Sequence, residues 1–128
     1  MESVMIKGIG TDIVEISRIA ALIAKRGETF LQRVFTPEEL VHCGRAAHRL
    51  AGRFAAKEAF FKALGTGFRG FKWHEVQVCN DDLGAPYFSF SPRLQDYLQA
   101  QGVDKTHLSI AHSREYAVAQ VIMERMGT

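Results

Sequence analysis

Residues 46–64 are mostly good helix formers with no proline among them, and Gly65 follows where a C-terminal cap belongs. This is the longest helix the sequence predicts, and a chain of 128 residues has room for one domain and one core around it. On a wheel at ~100° per residue, Leu50, Phe54, Phe61 and Leu64 gather into an apolar stripe, and Glu58 falls about 60° from its middle, beside Ala51, Ala55 and Lys62. The acid sits at the border of buried and open surface. Its small neighbours leave room for a large ligand, although an ordinary Glu58–Lys62 ion pair would use the same spacing.

The flanking segments set the fold class. Residues 4–10 read as a strand that carries Gly8 and Gly10; glycine weakens a strand, so another backbone or a ligand is expected to come close there. From Glu15 the period becomes helical through Ile16, Ile19, Ala20 and Ile23, until Gly27 ends it. Thr29 with Gln32, then Thr36 with Pro37 and Glu39, read as two capping boxes and hence as two short helices. Residues 73–79 and 86–90 form a hairpin, Ser91-Pro92 opens a helix that Gly102 ends, and residues 107–111 and 116–123 form a second hairpin. The order β-α-α-α-β-β-α-β-β lacks the regular alternation of a parallel fold. It predicts an α+β protein, an antiparallel sheet with helices packed on one side.

Hydrophobic residues make up 47% of the chain and charged ones 23%, which excludes a disordered segment. No apolar run approaches the ~20 residues of a membrane helix, and two cysteines, Cys43 and Cys79, do not make a disulfide framework. A cytoplasmic protein without a membrane partner is expected. The net charge of +2 hides two halves of opposite sign: residues 1–72 hold 12 Lys/Arg and 7 Asp/Glu, and residues 73–128 hold 4 and 7. Between 40 and 72 the basic residues Arg45, Arg49, Arg53, Lys57, Lys62, Arg69 and Lys72 face a single acid, Glu58. An anionic partner follows, whether phosphorylated cofactor, acidic protein or nucleic acid.

A second acid lies in Gly8-Ile9-Gly10-Thr11-Asp12, where the first strand is expected to give way to the first helix. The segment is not a dinucleotide fingerprint, because position 13 is Ile where a third glycine is required. Asp12 either caps the helix or pairs with Glu58 as an oxygen ligand for a divalent cation. Mg²⁺ is satisfied by one or two carboxylates when waters and substrate phosphates complete its shell. Arg53, Lys57 and Lys62 would then neutralise the remaining phosphate charge, with Lys57 close enough to the apolar stripe to snorkel instead. Gly65-Thr66-Gly67 is either a plain helix end or a bare loop that a ligand can approach closely. His112 opens the last turn, as a hydrogen-bonded turn residue or as a ligand or base.

Together Gly8-Ile9-Gly10-Thr11-Asp12-Ile13, the run from Gly52 to Ala59 with Arg53, Lys57 and Glu58, Lys62-Ala63-Leu64-Gly65-Thr66-Gly67, and Ser109-Ile110-Ala111-His112-Ser113 closely resemble the holo-acyl-carrier-protein synthases, small bacterial-type 4′-phosphopantetheinyl transferases. The resemblance spans nearly the whole chain. It implies Mg²⁺-dependent transfer of 4′-phosphopantetheine from coenzyme A to a serine of apo acyl carrier protein, releasing adenosine 3′,5′-bisphosphate. It also implies Asp12 and Glu58 as metal ligands, Lys62 at the coenzyme A phosphates, Gly65-Thr66-Gly67 in the coenzyme-binding loop, and His112 as the histidine of the last motif. Ala111 stands where many members carry Thr or Ser. The family typically forms homotrimers with sites between subunits.

The first helix adds a partner surface: Arg18, Leu22, Lys25 and Arg26 place basic groups around an apolar spot, suited to an acidic carrier protein. The alternative is a small basic nucleic-acid-binding module. Such a module has no use for an acid in the middle of its basic stretch, and it interleaves exposed aromatics that are here expected in the core.

Overall fold

A computed structural model describes residues 3–67 and 70–127, so Arg69 of the basic stretch lies outside the described residues. The elements are β1 (Val4–Glu15), α1 (Ile16–Arg26), α2 (Glu28–Val34), α3 (Pro37–Cys43), α4 (Ala47–Leu64), a 3-10 turn (Trp73–Glu75), β2 (Val76–Asn80), β3 (Pro86–Phe90), α5 (Pro92–Ala100), β4 (Lys105–His112) and β5 (Tyr116–Met126). The α+β expectation holds, with the strands divided between two antiparallel sheets: β1-β5-β4 and β2-β3.

The long helix is more deeply enclosed than its apolar stripe predicts. Leu50, Phe60 and Phe61 are buried, but so are Ala51, Ala55, Ala56 and Ala59 on its other sides. The alanines let neighbouring backbones close in, while each large side chain contributes roughly 1.5–3 kcal/mol of burial. Across from α4, the inward row of β5 is Ala117, Ala119, Val121 and Met123, all buried, and it alternates with residues facing the other way.

The opposite face of this sheet is open. Ile9 and Ile13 on β1 are 60% and 61% exposed, in register with Ile122 and Val118 on β5.

Three local expectations are corrected. The first strand does not stop at Gly10 but runs to Glu15, because β1 pairs along β5 from Val4 to Glu15, with one irregularity between Ile6 and Gly8. Asp12 is therefore a mid-strand residue opposite Ala119, and the cap position of α1 is taken by Glu15, whose side chain makes no capping bond. No box forms at Thr29 and Gln32: α2 already starts at Glu28, directly after Gly27, and Gln32 bonds Glu28 instead. Residues 73–75 form a 3-10 turn rather than the start of β2. The second box, Thr36 with Glu39, is present as predicted.

Candidate active site

The two glycines of β1 explain how the site is built. A Cβ on Gly8 would stand 2.0 Å from the Ala63 carbonyl oxygen, and one on Gly10 would stand 1.9 Å from that of Ala59. Only glycine lets β1 lie directly on the backbone of α4, which is the close backbone approach the sequence predicts. Two strand residues advance ~6.6 Å and four helix residues ~6.0 Å, so strand and helix stay in step along the contact. The next inward position after Gly8 and Gly10 is Asp12. It reaches the flank of α4 one turn further toward the helix N-terminus.

There Lys62 meets it. Helical side chains lean toward the N-terminus, and the Lys62 Nζ donates to Asp12 Oδ1 at 2.8 Å and to the Thr11 carbonyl at 3.3 Å. The Asp12 side chain is mostly covered, at 14% exposure, whereas that of Lys62 is 54% exposed. Glu58 lies one turn before Lys62 and is half-buried, at the border the wheel predicts. Burial raises its pKa above the ordinary carboxylate value, the negative charge of Asp12 raises it further, and Lys62 and Arg18 oppose both. Glu58 thus feels both the charge of Asp12 and that of the lysine bound to it.

Glu58, Phe61, Lys62, Gly65 and Gly67 line a cavity of about 290 Å³ beside this group. Gly65 ends α4 in the left-handed region (φ 81°), donating its N–H to Phe61 and Lys62 carbonyls, and Gly67 follows at φ 64°. The wall they form has no side chains, and Thr66 turns its hydroxyl onto the Gly67 carbonyl at 3.1 Å. A larger hollow of about 430 Å³ between β3, α5 and β4 carries Asp104 and Lys105 but none of the predicted residues.

Two of the predicted phosphate-binding residues are turned away from this cavity. Lys57 is fully buried: its Nζ donates to Glu39 Oε1 at 2.7 Å, to the Val34 carbonyl at 2.7 Å and to the Trp73 carbonyl at 3.3 Å. One residue along a helix turns the side chain by ~100°, so the neighbour of Glu58 faces the core side of α4 instead. Arg53 is 7% exposed and donates from Nη2 to Asn80 Oδ1, while Asn80 Nδ2 donates to the Gly84 carbonyl, tying α4 to the β2–β3 turn. The basic stretch is thus not one cationic surface.

His112 is not brought to the carboxylates either. Its ring fits against Gly52, where a Cβ would come 2.7 Å from Nε2, and it meets His48 edge-on at 6.4 Å between ring centroids. Gly52 is six residues before Glu58, about 9 Å along the helix, and His112 is not among the residues lining the cavity. On α1, Arg18, Lys25 and Arg26 are exposed and Leu22 is half-buried, and the Arg18 guanidinium stands 5.7 Å from the centre of the Phe54 ring, itself stacked on Trp73.

Glu39 is the functional-looking acid that the sequence conceals. It reads as a helix cap and is one, accepting from the Thr36 N–H at 2.8 Å, but its carboxylate also takes Lys57 and the Val78 N–H at 2.8 Å. A capping box signals the first contact and carries no sign of the others.

The donor set suits a hard divalent cation: Glu58 offers carboxylate oxygens in a cavity with room for further oxygen ligands, and the Asp12 carboxylate reaches the same flank of α4 through Lys62. No group of three or more metal-binding side chains occurs among the described residues, so any cation bound here depends on its ligand or on water for the rest of its shell.

The sequence profile of the 4′-phosphopantetheinyl transferase superfamily matches residues 8–121. The chain is 44% identical over 123 residues to the holo-acyl-carrier-protein synthase of Halothermothrix orenii, covering 94% of this chain and 98% of that one. Its fold superposes on the crystal structure of the holo-acyl-carrier-protein synthase from Neisseria meningitidis with a TM-score of 0.88 at 43% identity, covering 93% of this chain and 98% of that one. It superposes on the Helicobacter pylori enzyme crystallised with coenzyme A with a TM-score of 0.83 at 32% identity, over 90% and 98% of the two chains.

Proposed function

The chain belongs to the 4′-phosphopantetheinyl transferase superfamily as a holo-acyl-carrier-protein synthase, and from that premise we propose that it moves 4′-phosphopantetheine from coenzyme A to a serine of apo acyl carrier protein, with adenosine 3′,5′-bisphosphate as the second product. The observation that carries this reading is that Glu58 and Lys62 line one cavity walled by Gly65 and Gly67, with Asp12 holding the Lys62 ammonium.

The serine oxygen forms a bond to the β-phosphorus of the coenzyme A pyrophosphate, and the bond from that phosphorus to the bridging oxygen breaks. Negative charge collects on the equatorial and leaving oxygens, so positioned positive charge supplies most of the catalysis. Lys62 provides it at the cavity mouth, from a side chain that Asp12 already orients. Glu58, at the cavity wall, is placed to take the hydroxyl proton directly or through one water. Asp12 and Glu58 would hold Mg²⁺, which when bound adds charge neutralisation at the pyrophosphate. Gly65 and Gly67 let the pantetheine or phosphate approach the backbone without meeting a side chain.

Carrier docking falls to α1, where Arg18, Lys25 and Arg26 surround Leu22. Charge reversal at Arg18 is expected to weaken carrier association and flatten its salt dependence while coenzyme A binding stays unchanged.

The open sheet face with Ile9 and Ile13 supports assembly of the chain with copies of itself, a homotrimer with sites between subunits. Sedimentation of the wild type as a monomer at assay concentration would overturn that arrangement. The work of the protein would be done in the cytoplasm, and no described helix is long and apolar enough to cross a membrane.

The test is direct. The chain is incubated with coenzyme A, Mg²⁺ and apo carrier protein, and the carrier is weighed by mass spectrometry. A gain of one phosphopantetheine on a serine, dependent on all three components, is expected. An unchanged carrier mass would sink the reading.

A further inference from the structure

α4 holds one end of the glycine wall; three residues past its other end, Gly70 is gripped by a residue with no place in the chemistry above. Arg93, in the first turn of α5, donates from Nη2 to the Gly70 carbonyl and to Glu75 Oε2 at 2.5 Å, and from Nε to Glu75 Oε1 at 3.0 Å. Its guanidinium also lies over the Phe71 ring, 4.6 Å from the centroid, with Tyr97 against the same ring at 5.2 Å. Glu75 is fixed in turn, accepting from the Lys72 N–H and the Ser91 hydroxyl, each at 2.8 Å. From the core side, Lys57 holds the Trp73 carbonyl.

Residues 70–75 are therefore a braced segment rather than a free loop. Gly70 follows Gly67 by three residues, which reach at most ~10 Å when fully extended. Fixing Gly70 limits where Gly67 can stand, and Gly65 is already fixed by the end of α4. A planar guanidinium with several donors in a rigid fork suits this task, because one side chain meets a carbonyl, a carboxylate and a ring face together.

We propose that Arg93 is a positioning residue for coenzyme A: by bracing Gly70, Phe71 and Glu75 it keeps the Gly65–Gly67 wall in the shape that receives the ligand, without touching it. The inference rests on the coenzyme A reading of the cavity.

The test compares wild type, Arg93→Gln, Arg93→Lys and Glu75→Gln by calorimetric titration with coenzyme A in the presence of Mg²⁺, and by KM for each substrate. Arg93→Gln is expected to weaken coenzyme A binding about tenfold, on the scale of a lost charged hydrogen-bond set, with carrier-protein KM within about twofold. Glu75→Gln, which breaks the same brace from its other side, is expected to weaken coenzyme A in the same sense. Arg93→Lys keeps the charge but not the fork, and is expected to restore the melting temperature more completely than the affinity. Unchanged coenzyme A affinity in folded Arg93→Gln overturns the proposal, as does an equal loss of affinity for both substrates. Wild-type protein that binds no coenzyme A overturns the reading of the cavity instead.

Discussion

Lys62 and Asp12, fifty residues apart in sequence, meet at 2.8 Å between Nζ and Oδ1, joining the last turn of the long helix to the middle of the first strand. The contact sets the charge balance of the cavity. Asp12 raises the pKa of Lys62 through this hydrogen bond, and Lys62 in turn lowers that of Glu58 against burial and the charge of Asp12.

Removing the lysine should therefore do two separable things. Lys62→Met is expected to slow transfer by about 10²–10³-fold, the usual loss when one positioned charge is taken from a transition state. It should also move the acid limb of the pH–rate profile upward, since Glu58 loses the group that most lowers its pKa. Asp12→Asn should lower the rate, as one of the two proposed metal ligands is lost, and move the limb of the remaining activity downward, because a neighbouring negative charge disappears. Initial rates across pH with saturating substrates check both directions.

The contact between β1 and α4 makes a second expectation. Gly10→Ala puts a methyl 1.9 Å from the Ala59 carbonyl oxygen and 2.7 Å from the Ala63 nitrogen, both backbone atoms that cannot rotate away. Strand and helix have to part, at a cost of about 1–3 kcal/mol or more. Because Asp12 is the next inward residue on the same strand, activity should fall further than the melting temperature alone accounts for. Thermal melts and turnover measured on the same preparation separate the two losses.

The glycines of β1, the cap at Gly65 and the border position of Glu58 were legible in the sequence because each depends on local geometry: a missing Cβ, a positive φ, an angle on a wheel. The α+β order was legible for the same reason. What escaped depends on pairing at a distance. Lys57 and Arg53 carry charges that composition alone assigns to solvent, and only the arrival of Glu39 from α3 and Asn80 from β2 turns them inward. The length of β1 was likewise set by β5, more than a hundred residues on, and not by the glycines that weaken its first half.

Lys57 and Glu39 offer a sharper case. Both side chains are fully buried, and burial pushes the Lys57 pKa down while Glu39 holds it up. Lys57→Met leaves a carboxylate without its ammonium in the core and is expected to cost about 3–5 kcal/mol, whereas pairing it with Glu39→Gln should recover part of that loss. Urea unfolding of the single and double variants gives the two values. A double variant no more stable than the single one would show that Glu39 matters chiefly through its bonds to Thr36 and Val78.

Glu75 makes the stability of the 70–75 segment depend on acid. The bond from Arg93 holds its carboxyl down at about 2, helped by the Lys72 amide and the Ser91 hydroxyl and opposed by burial, against an ordinary value of 4.5. A carboxyl depressed by folding contributes stability that is complete above its unfolded pKa and is lost as pH falls through the folded one. For this residue the window runs from 4.5 down to about 2. Arg93→Gln removes the main cause of the shift, so its deficit relative to wild type should be full at neutral pH and shrink as the pH enters that window. Urea melts of both proteins at about pH 7 and about pH 3 measure the difference. A deficit of the same size at both would mean that Arg93 braces the segment through Gly70 and Phe71 alone, with the carboxylate a bystander.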